Sequence, residues 1–286
     1  MLWCQVIDLH SHTDQSDGTF TPEELVAEAS RIGLKALAIT DHDTFQGYDM
    51  ALPFAAKVGL ELICGIELST KFGGASVHML SYFPWQAPSS SFREWLTFLL
   101  ESRRDRNRRL IVKLQELGLD ITLEEVELQG RTLTARPHFA RALVAKGYAK
   151  DIQDAFAKYL DESAIGYVQR QEVPIEEALR RVAEAGGVAS LAHPVRLAKN
   201  NWDTLAEYVG SMSKMGMRAI EVFHSDHTPE NVAYYQSLAK RFGLAVTGGS
   251  DFHGGNKPLI SLGTGLRGNL NVPDSVLSGL KQLAPA

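Results

Sequence analysis

A strand followed by a helix, then a glycine and another strand, recurs along this chain and most narrows the folds open to it. After the apolar, β-rich residues 5–12, the segment 21–32 reads as a helix. Thr21 is placed to cap it, Pro22 takes the first helical position, and Glu24 completes a T-x-x-E capping box. Gly33 ends that helix, and LKALAIT at 34–40 reads as a buried strand. The same order returns at Pro174, where PIEEALRRVAEA runs into Gly186-Gly187 and VASLA, and at Pro229, where PENVAYYQSLAKRF runs into Gly243 and LAVTG. Predicted strands cover 5–10, 34–40, 60–66, 76–83, 187–192, 218–223 and 244–249, with a last helix near 273–283. Short apolar strands joined by helices imply an α/β fold with a largely parallel sheet. About seven of them imply a β/α barrel with less than eightfold closure.

One stretch breaks this rhythm. Residues 92–172 carry helical patterns and no convincing βα unit: SFREWLTFLLESRRDRNRRLIVKLQELG, ITLEEVEL from Thr122 to Glu125, RPHFARALVAKG and DIQDAFAKYL, punctuated by Gly118, Gly130 and Gly147. The reading is a barrel of residues 1–91 and 173–286, with an all-helical insertion at 92–172 that caps the barrel mouth.

Composition removes other classes. No apolar run reaches the roughly 18 residues that a membrane span needs, and MLWCQVIDLHSH has neither the basic stretch nor the cleavage site of a signal peptide. Cys4 and Cys64, each in an apolar run, are too few for a disulfide framework and read as small buried hydrophobes in a reduced, cytoplasmic interior. The net charge of −5 argues against a broad nucleic-acid coat, though not against one local basic groove.

The chemistry lies in where the nine histidines fall. His10 and His12, two apart at the end of the first strand, point to one face. Asp8 shares that face and is expected to orient an imidazole. The second strand ends in Asp41, His42 and Asp43; the third in GIELS with Glu67; the fourth begins at Val77-His78; the fifth ends at His193; the seventh ends in Asp251 and His253. Asp17 joins them from the turn after the first strand. Strand ends of a β/α barrel converge on one mouth. Imidazoles and carboxylates without thiolates suit Mn, Zn or Fe, and the candidates outnumber the ligands of a single ion.

IDLHSHTDQSDGTFTPEELV, AITDHDT, GIELS, LAHP and GSDFH resemble the motifs of the PHP (polymerase and histidinol phosphatase) superfamily. They also resemble bacterial phosphoesterases of that superfamily that act on 3′,5′-nucleotide bisphosphates, with relatives that trim short RNA from its 5′ end. The resemblance implies a distorted (β/α)7 barrel, a helical insertion and three divalent metal ions, Mn foremost with Zn or Fe as alternatives. It implies a first metal on His10, His12, Glu67 and Asp251. Glu67 would bridge to a second on His78 and His193, and a third would take Asp17, His42 and His253. It also implies phosphate-binding roles for Arg136, in LTARPHFARALV, and for a histidine of IEVFHSDH, His227 or His224.

Bland readings stand beside these. Arg136 could form a salt bridge of the cap, and His227 could neighbour a helix N-cap at Thr228-Pro229. His138 and Lys257 are open between a phosphate contact and a structural or loop position. The five arginines of ESRRDRNRRL (101–110) read as a solvated helix face with i,i+4 pairing more than as an RNA guide.

The expected activity is metal-dependent hydrolysis of adenosine 3′,5′-bisphosphate to AMP and phosphate, by a hydroxide bridging the metals and without a Ser or Cys nucleophile. Phe139 would stack on the base. The expected partners are a small nucleotide or the 5′ end of a short RNA, with no membrane and no stable protein partner. Alternatives are a histidinol-phosphate phosphatase, a 5′→3′ exoribonuclease, and a catalytically silent metal-stabilised binding module.

Overall fold

Seven strands stand side by side in the computed structural model, which describes residues 6–128, 134–169, 173–197 and 201–283. In chain order the strands of this sheet, counting one short strand beside the seven, are β1 (Ile7–Asp8), β2 (Ala36–Ile39), β3 (Glu61–Phe72), β4 (Ala75–Phe83), β5 (Val173–Pro174), β6 (Val188–Leu191), β7 (Ala219–His224) and β8 (Ala245–Gly249). The sheet runs β1-β2-β3-β4-β6-β7-β8, with the short β5 alongside the end of β3. Its two edges nearly meet: the Leu9 N–H donates to the Gly248 carbonyl at 3.1 Å and the Asp251 N–H to the His10 carbonyl at 2.8 Å. The result is a nearly closed seven-strand barrel.

The sheet departs from the expected parallel order at one strand. β4 is antiparallel to both β3 and β6. The cause is local: Gly73 and Gly74, at φ +56° and +85°, make a tight turn and β3 continues into a hairpin instead of crossing over. Reversal puts the beginning of β4 at the mouth where the parallel strands end, and His78 therefore sits among residues contributed by strand ends. β1 is shorter than the predicted 5–10, because residues 9–12 leave the ladder to bond with the segment after β8.

The helices follow their sequence signals closely. α1 (Pro22–Arg31) carries the Thr21/Glu24 capping box with Pro at its start. α2 (Gln46–Val58) ends on Gly59, and α3 (Ser90–Glu116) is capped by the Ser89 hydroxyl. α4 (Leu123–Glu127), with its Thr122/Glu125 box, α5 (Arg136–Ala145), α6 (Ile152–Ala155) and a π-helical turn at Phe156–Leu160 complete the described part of the inserted stretch. α7 (Ile175–Glu184), α8 (Trp202–Lys214), α9 (Pro229–Phe242) and α10 (Ser275–Gln282) return to the barrel. Cys4 and Gly130 lie outside the described residues, and none of the described helices is long and apolar enough to cross a membrane.

Apolar burial explains why these elements stay where they are. One cluster joins Ile7, Ala36, Ile63, Leu80 and Val188 of the strands to Leu277 and Leu280 of α10. The inserted helices have their own core, in which Leu110 and Leu114 of α3 meet Phe139 and Leu143 of α5. Phe139 is fully buried there, so it is part of that core and not a platform for a base. Each such side chain contributes roughly 1.5–3 kcal/mol of burial free energy.

Candidate metal centre

Six imidazoles and three carboxylates meet at the barrel mouth. His10, His12 and Asp17 follow β1; His42 follows β2; Glu67 lies in β3 and His78 in β4; His193 follows β6; Asp251 and His253 follow β8. Glu67, 1% exposed, is the hub. Its Oε1 lies 2.9 Å from His78 Nδ1 and 3.0 Å from His193 Nε2, while Oε2 lies 3.1 Å from His12 Nε2, 3.3 Å from His10 Nε2 and 3.5 Å from His42 Nε2. The two oxygens thus face different sets of histidines. Asp17 Oδ1 is 3.3 Å from His253 Nε2, and Oδ2 is 3.8 Å from His42 Nε2. Asp251 turns Oδ1 to His10 and His12, each at 3.5 Å.

The residues fit divalent cations. His12 Nε2, His42 Nδ1 and His78 Nδ1 are buried and hydrogen-bond to nothing, although carboxylate oxygens lie near two of them. Unsatisfied buried nitrogens are costly unless a ligand meets them. Donor atoms of His10, His12, Glu67 and Asp251 fall within 4.8 Å of one another, as do those of His42, Glu67 and His78 and of His12, Asp17 and His253.

Charge states suit the same purpose. Burial alone would raise Glu67, but the imidazoles around it, His10 among them, hold it well below the usual carboxylate range. Burial likewise opposes ionisation of Asp251, which Lys257 and His10 overcome. Burial pushes His42 down to about 3, so it is neutral and keeps a lone pair for a ligand. Backbone strain gathers here too: Asp43 (φ +56°), His193 (φ +27°) and Asp251 (φ +58°) all adopt left-handed conformations that side chains rarely take.

The surrounding acids brace the loops. Asp8 accepts from the main-chain N–H groups of His10, Ser250 and Gly263 and from the Ser250 hydroxyl, at 2.6–3.1 Å. Asp8 therefore anchors the His10 backbone and does not orient an imidazole as alternation along the strand implies, because β1 stops at Asp8. Ring orientation comes from Glu221 of β7, whose Oε1 accepts from His10 Nδ1 at 2.9 Å. Asp41 accepts from Thr13 N–H, Thr13 Oγ1 and Ser16 Oγ, fixing the loop that carries Asp17. Asp43 accepts from Ser69 N–H and from Arg103 Nη2 of α3 at 2.9 and 2.5 Å.

The remaining candidates separate. Lys257 Nζ and Arg196 Nη2 donate to Asp251 Oδ2 at 2.6 and 3.0 Å, with His224 Nε2 3.3 Å away. His227 donates from Nδ1 to the Val222 carbonyl at 2.8 Å, its ring lying between His224 and Tyr235. His138 Nδ1 accepts the Ala135 N–H at 2.8 Å and so caps the start of α5. Arg136 lines a cavity of about 200 Å³ whose wall also includes Asp17, His42, His78, Arg103 and Arg106.

Glu221 and Arg196 are the residues that motif reading passed over, and Arg103 and Arg106 depart from the solvated face expected of their run. The signal for Glu221 is a lone carboxylate inside an apolar strand, IEVF. The arginine run divides by helix face. Arg104 and Arg109 are exposed and pair with Glu101 and Asp105 at 2.5 and 2.9 Å, as expected of a solvated face. Arg103 and Arg106 are only 5% exposed.

A barrel mouth lined with nitrogen and oxygen donors is the arrangement of a metal-dependent enzyme. The chain matches the PHP domain over residues 8–200. It is 32% identical over 250 residues to a 3′,5′-nucleoside bisphosphate phosphatase of Chromobacterium violaceum, covering 86% of this chain and 87% of that protein. It is 35% identical over 253 residues to the 5′-3′ exoribonuclease Rnm of Escherichia coli, covering 87% and 85%. A solved structure from Bifidobacterium adolescentis, described as a metal-dependent phosphoesterase, superposes with a TM-score of 0.83 at 32% identity, over 96% of this chain and 95% of that one. The chain belongs to the PHP family and is a metal-dependent phosphoesterase, a hydrolase of phosphoester bonds.

Proposed function

We propose that the protein removes one phosphate from a nucleotide that carries two, converting a 3′,5′-nucleotide bisphosphate such as adenosine 3′,5′-bisphosphate to the 5′-nucleotide and inorganic phosphate. The observation that carries this reading is a cavity whose wall holds Asp17, His42 and His78 of the donor cluster together with Arg136. Such a wall suits a substrate with one phosphate at the cluster and a second at a planar, bidentate cation. The bisphosphate phosphatase of Chromobacterium violaceum supports the same substrate class.

In this reading His10, His12, Glu67 and Asp251 hold one divalent ion, Glu67 with His78 and His193 a second, and Asp17, His42 and His253 a third, with Mn expected and Zn or Fe as alternatives. When bound, such ions supply Lewis acidity toward phosphate oxygens and make water acidic enough to act as a nucleophile near neutral pH. The protein's own groups then position and protect. Glu67 offers one oxygen to each histidine set, and Glu221 holds His10 with Nε2 turned to the cluster. Lys257 and Arg196 occupy Asp251 Oδ2, leaving Oδ1 for the histidines. Arg136, at the first position of α5, would hold the phosphate that is not cleaved, and the inserted helices α3 to α6 would cap the barrel mouth.

Phosphate release from adenosine 3′,5′-bisphosphate, 5′-AMP and histidinol phosphate by Mn-reconstituted protein, with EDTA controls, tests the proposal. Preference for the bisphosphate that EDTA abolishes is the expected result. Preference for histidinol phosphate overturns the substrate. The similarity to Rnm favours a second reading, which release of nucleotides from short 5′-phosphorylated RNA without turnover of the bisphosphate would establish.

A further inference from the structure

We propose that Asn256 is a positioning residue of the cation site at Asp17, His42 and His253, and that it ties this site to the inserted helices. An ion at the site and the docked position of α5 then favour one another. This rests on the third ion of the reading above. Asn256 lies three residues after His253, in a single turn over Gly254–Asn256. Its amide is used at both ends. Oδ1 accepts from Arg141 Nη1 of α5 at 2.6 Å, and Nδ2 donates to the Asp17 carbonyl at 2.6 Å. The loop that carries Asp17 is therefore held from two sides, by Asp41 at Thr13 and Ser16 and by Asn256 at Asp17 itself.

The residue type fits this bridge. A guanidinium only donates and a carbonyl only accepts, so the group between them must accept on one side and donate on the other. A side-chain amide does both. A carboxylate has no proton for the carbonyl, and an ammonium has no lone pair for the arginine. Gly254, at φ +60°, and the Gly255 N–H, which donates to Thr19 Oγ1 at 2.8 Å, set the turn from which Asn256 reaches Asp17.

Placement in the fold gives the bridge its consequence. The first half of α3 is rooted in the barrel, where Phe92, Trp95, Leu96 and Leu99 share a core with Ile66 and Met79 of the sheet. Farther along, Leu110 and Leu114 belong to the separate core that holds Phe139 and Leu143 of α5. Arg141 of α5 reaches the metal-bearing loops through the amide of Asn256, a contact that water can replace at small net cost. Such a contact favours one docked position without locking it. Arg136 opens the same helix, so the docking of α5 also sets where the cavity wall stands relative to the donor cluster. By linkage, whatever an ion gains from the docked helix, the helix gains from the ion.

Hydrogen exchange and Mn calorimetry on the chelator-stripped full chain test this. Mn should slow exchange of the α5 amides in the wild-type protein, although none of the donor residues lies in α5. Asn256→Ala and Arg141→Met should each abolish that effect and weaken one Mn-binding step about 5- to 150-fold, the usual span of a coupling between sites. The double variant should lose no more than the larger single loss. Asp17→Asn identifies the step and should abolish the effect on α5 as well. If Asn256 only stabilises its loop, the variants lower Tm while Mn still slows their α5 exchange by the wild-type factor, which overturns the proposal. Exchange in wild-type α5 that ignores Mn, or a Mn effect that survives Asp17→Asn, overturns it too. If Asp17→Asn leaves the Mn isotherm unchanged, the third-ion assignment itself fails, and the role of Asn256 falls with it.

Discussion

His10 Nδ1 lies 2.9 Å from Glu221 Oε1, and both side chains are fully buried. A carboxylate accepts, so Nδ1 carries a proton, and the ring turns Nε2 to Glu67 Oε2 at 3.3 Å. The other oxygen of Glu221 accepts the His193 N–H at 2.6 Å. One side chain in β7 thus fixes two of the histidines at the mouth, one through its ring and one through its backbone. Replacing Glu221 with Gln should weaken Mn binding about 10- to 100-fold, the usual cost of losing such a partner. Titration calorimetry on chelator-stripped protein measures it. Unchanged affinity would mean that packing alone orients His10.

Gly249 leaves no room for a side chain. A Cβ there would stand 2.2 Å from the His10 nitrogen and 2.7 Å from Asp8 Oδ1. Gly249→Ala should therefore displace the His10 backbone, cost about 1–3 kcal/mol by overpacking, and reduce Mn binding more than its loss of stability explains. Urea unfolding and calorimetry on the same sample separate the two effects.

Burial distinguishes the arginines of α3. Asp43→Ala strands Arg103 without its counter-charge and should cost about 3–5 kcal/mol, the range for breaking a buried pair. Arg104→Ala removes an exposed pair with Glu101 and should cost under about 1 kcal/mol. Equal costs in urea unfolding would contradict the assignment of faces.

His138 gives the fold a defined response to acid. Burial pushes it down to about 4. Below pH 6.5 the unfolded chain gains a proton at this residue, while the folded protein does not until about pH 4. Stability from this group is therefore complete above 6.5 and is lost as pH falls toward 4, by about 3 kcal/mol in total. Gln at 138 can still accept the Ala135 N–H at the third helical position, but it does not titrate. The stability of His138→Gln relative to wild type should rise by that amount between pH 7 and pH 4, measured by urea unfolding at each pH. A constant difference would show that His138 is not kept neutral.

The parts of this protein legible in its sequence are those set by near neighbours along the chain. The Thr21-Pro22-Glu24 cap and the glycine that ends each helix act within a turn, so they mark α1, α7 and α9 without reference to the rest of the fold. Alternation along a strand and its end at a polar cluster likewise identify His10, His12, His42, Glu67 and Asp251 as candidates. Residue type also settles the chemistry on offer, imidazole and carboxylate without thiolate.

Other features depended on segments meeting across the barrel. The Gly73-Gly74 turn reversed β4 and so carried His78 to the mouth. Arg103 and Arg104 are neighbours in one basic run, yet the face of α3 that met the barrel buried the first and left the second in water. Glu221 and His10 are 211 positions apart, and only closure of the sheet brings them within a hydrogen bond. Local sequence determines which groups are available and which turn or cap each occupies, because those energies act over a few residues. Which group a buried charge finally meets is decided by tertiary packing, because desolvation and Coulomb attraction depend on distance in space and not along the chain.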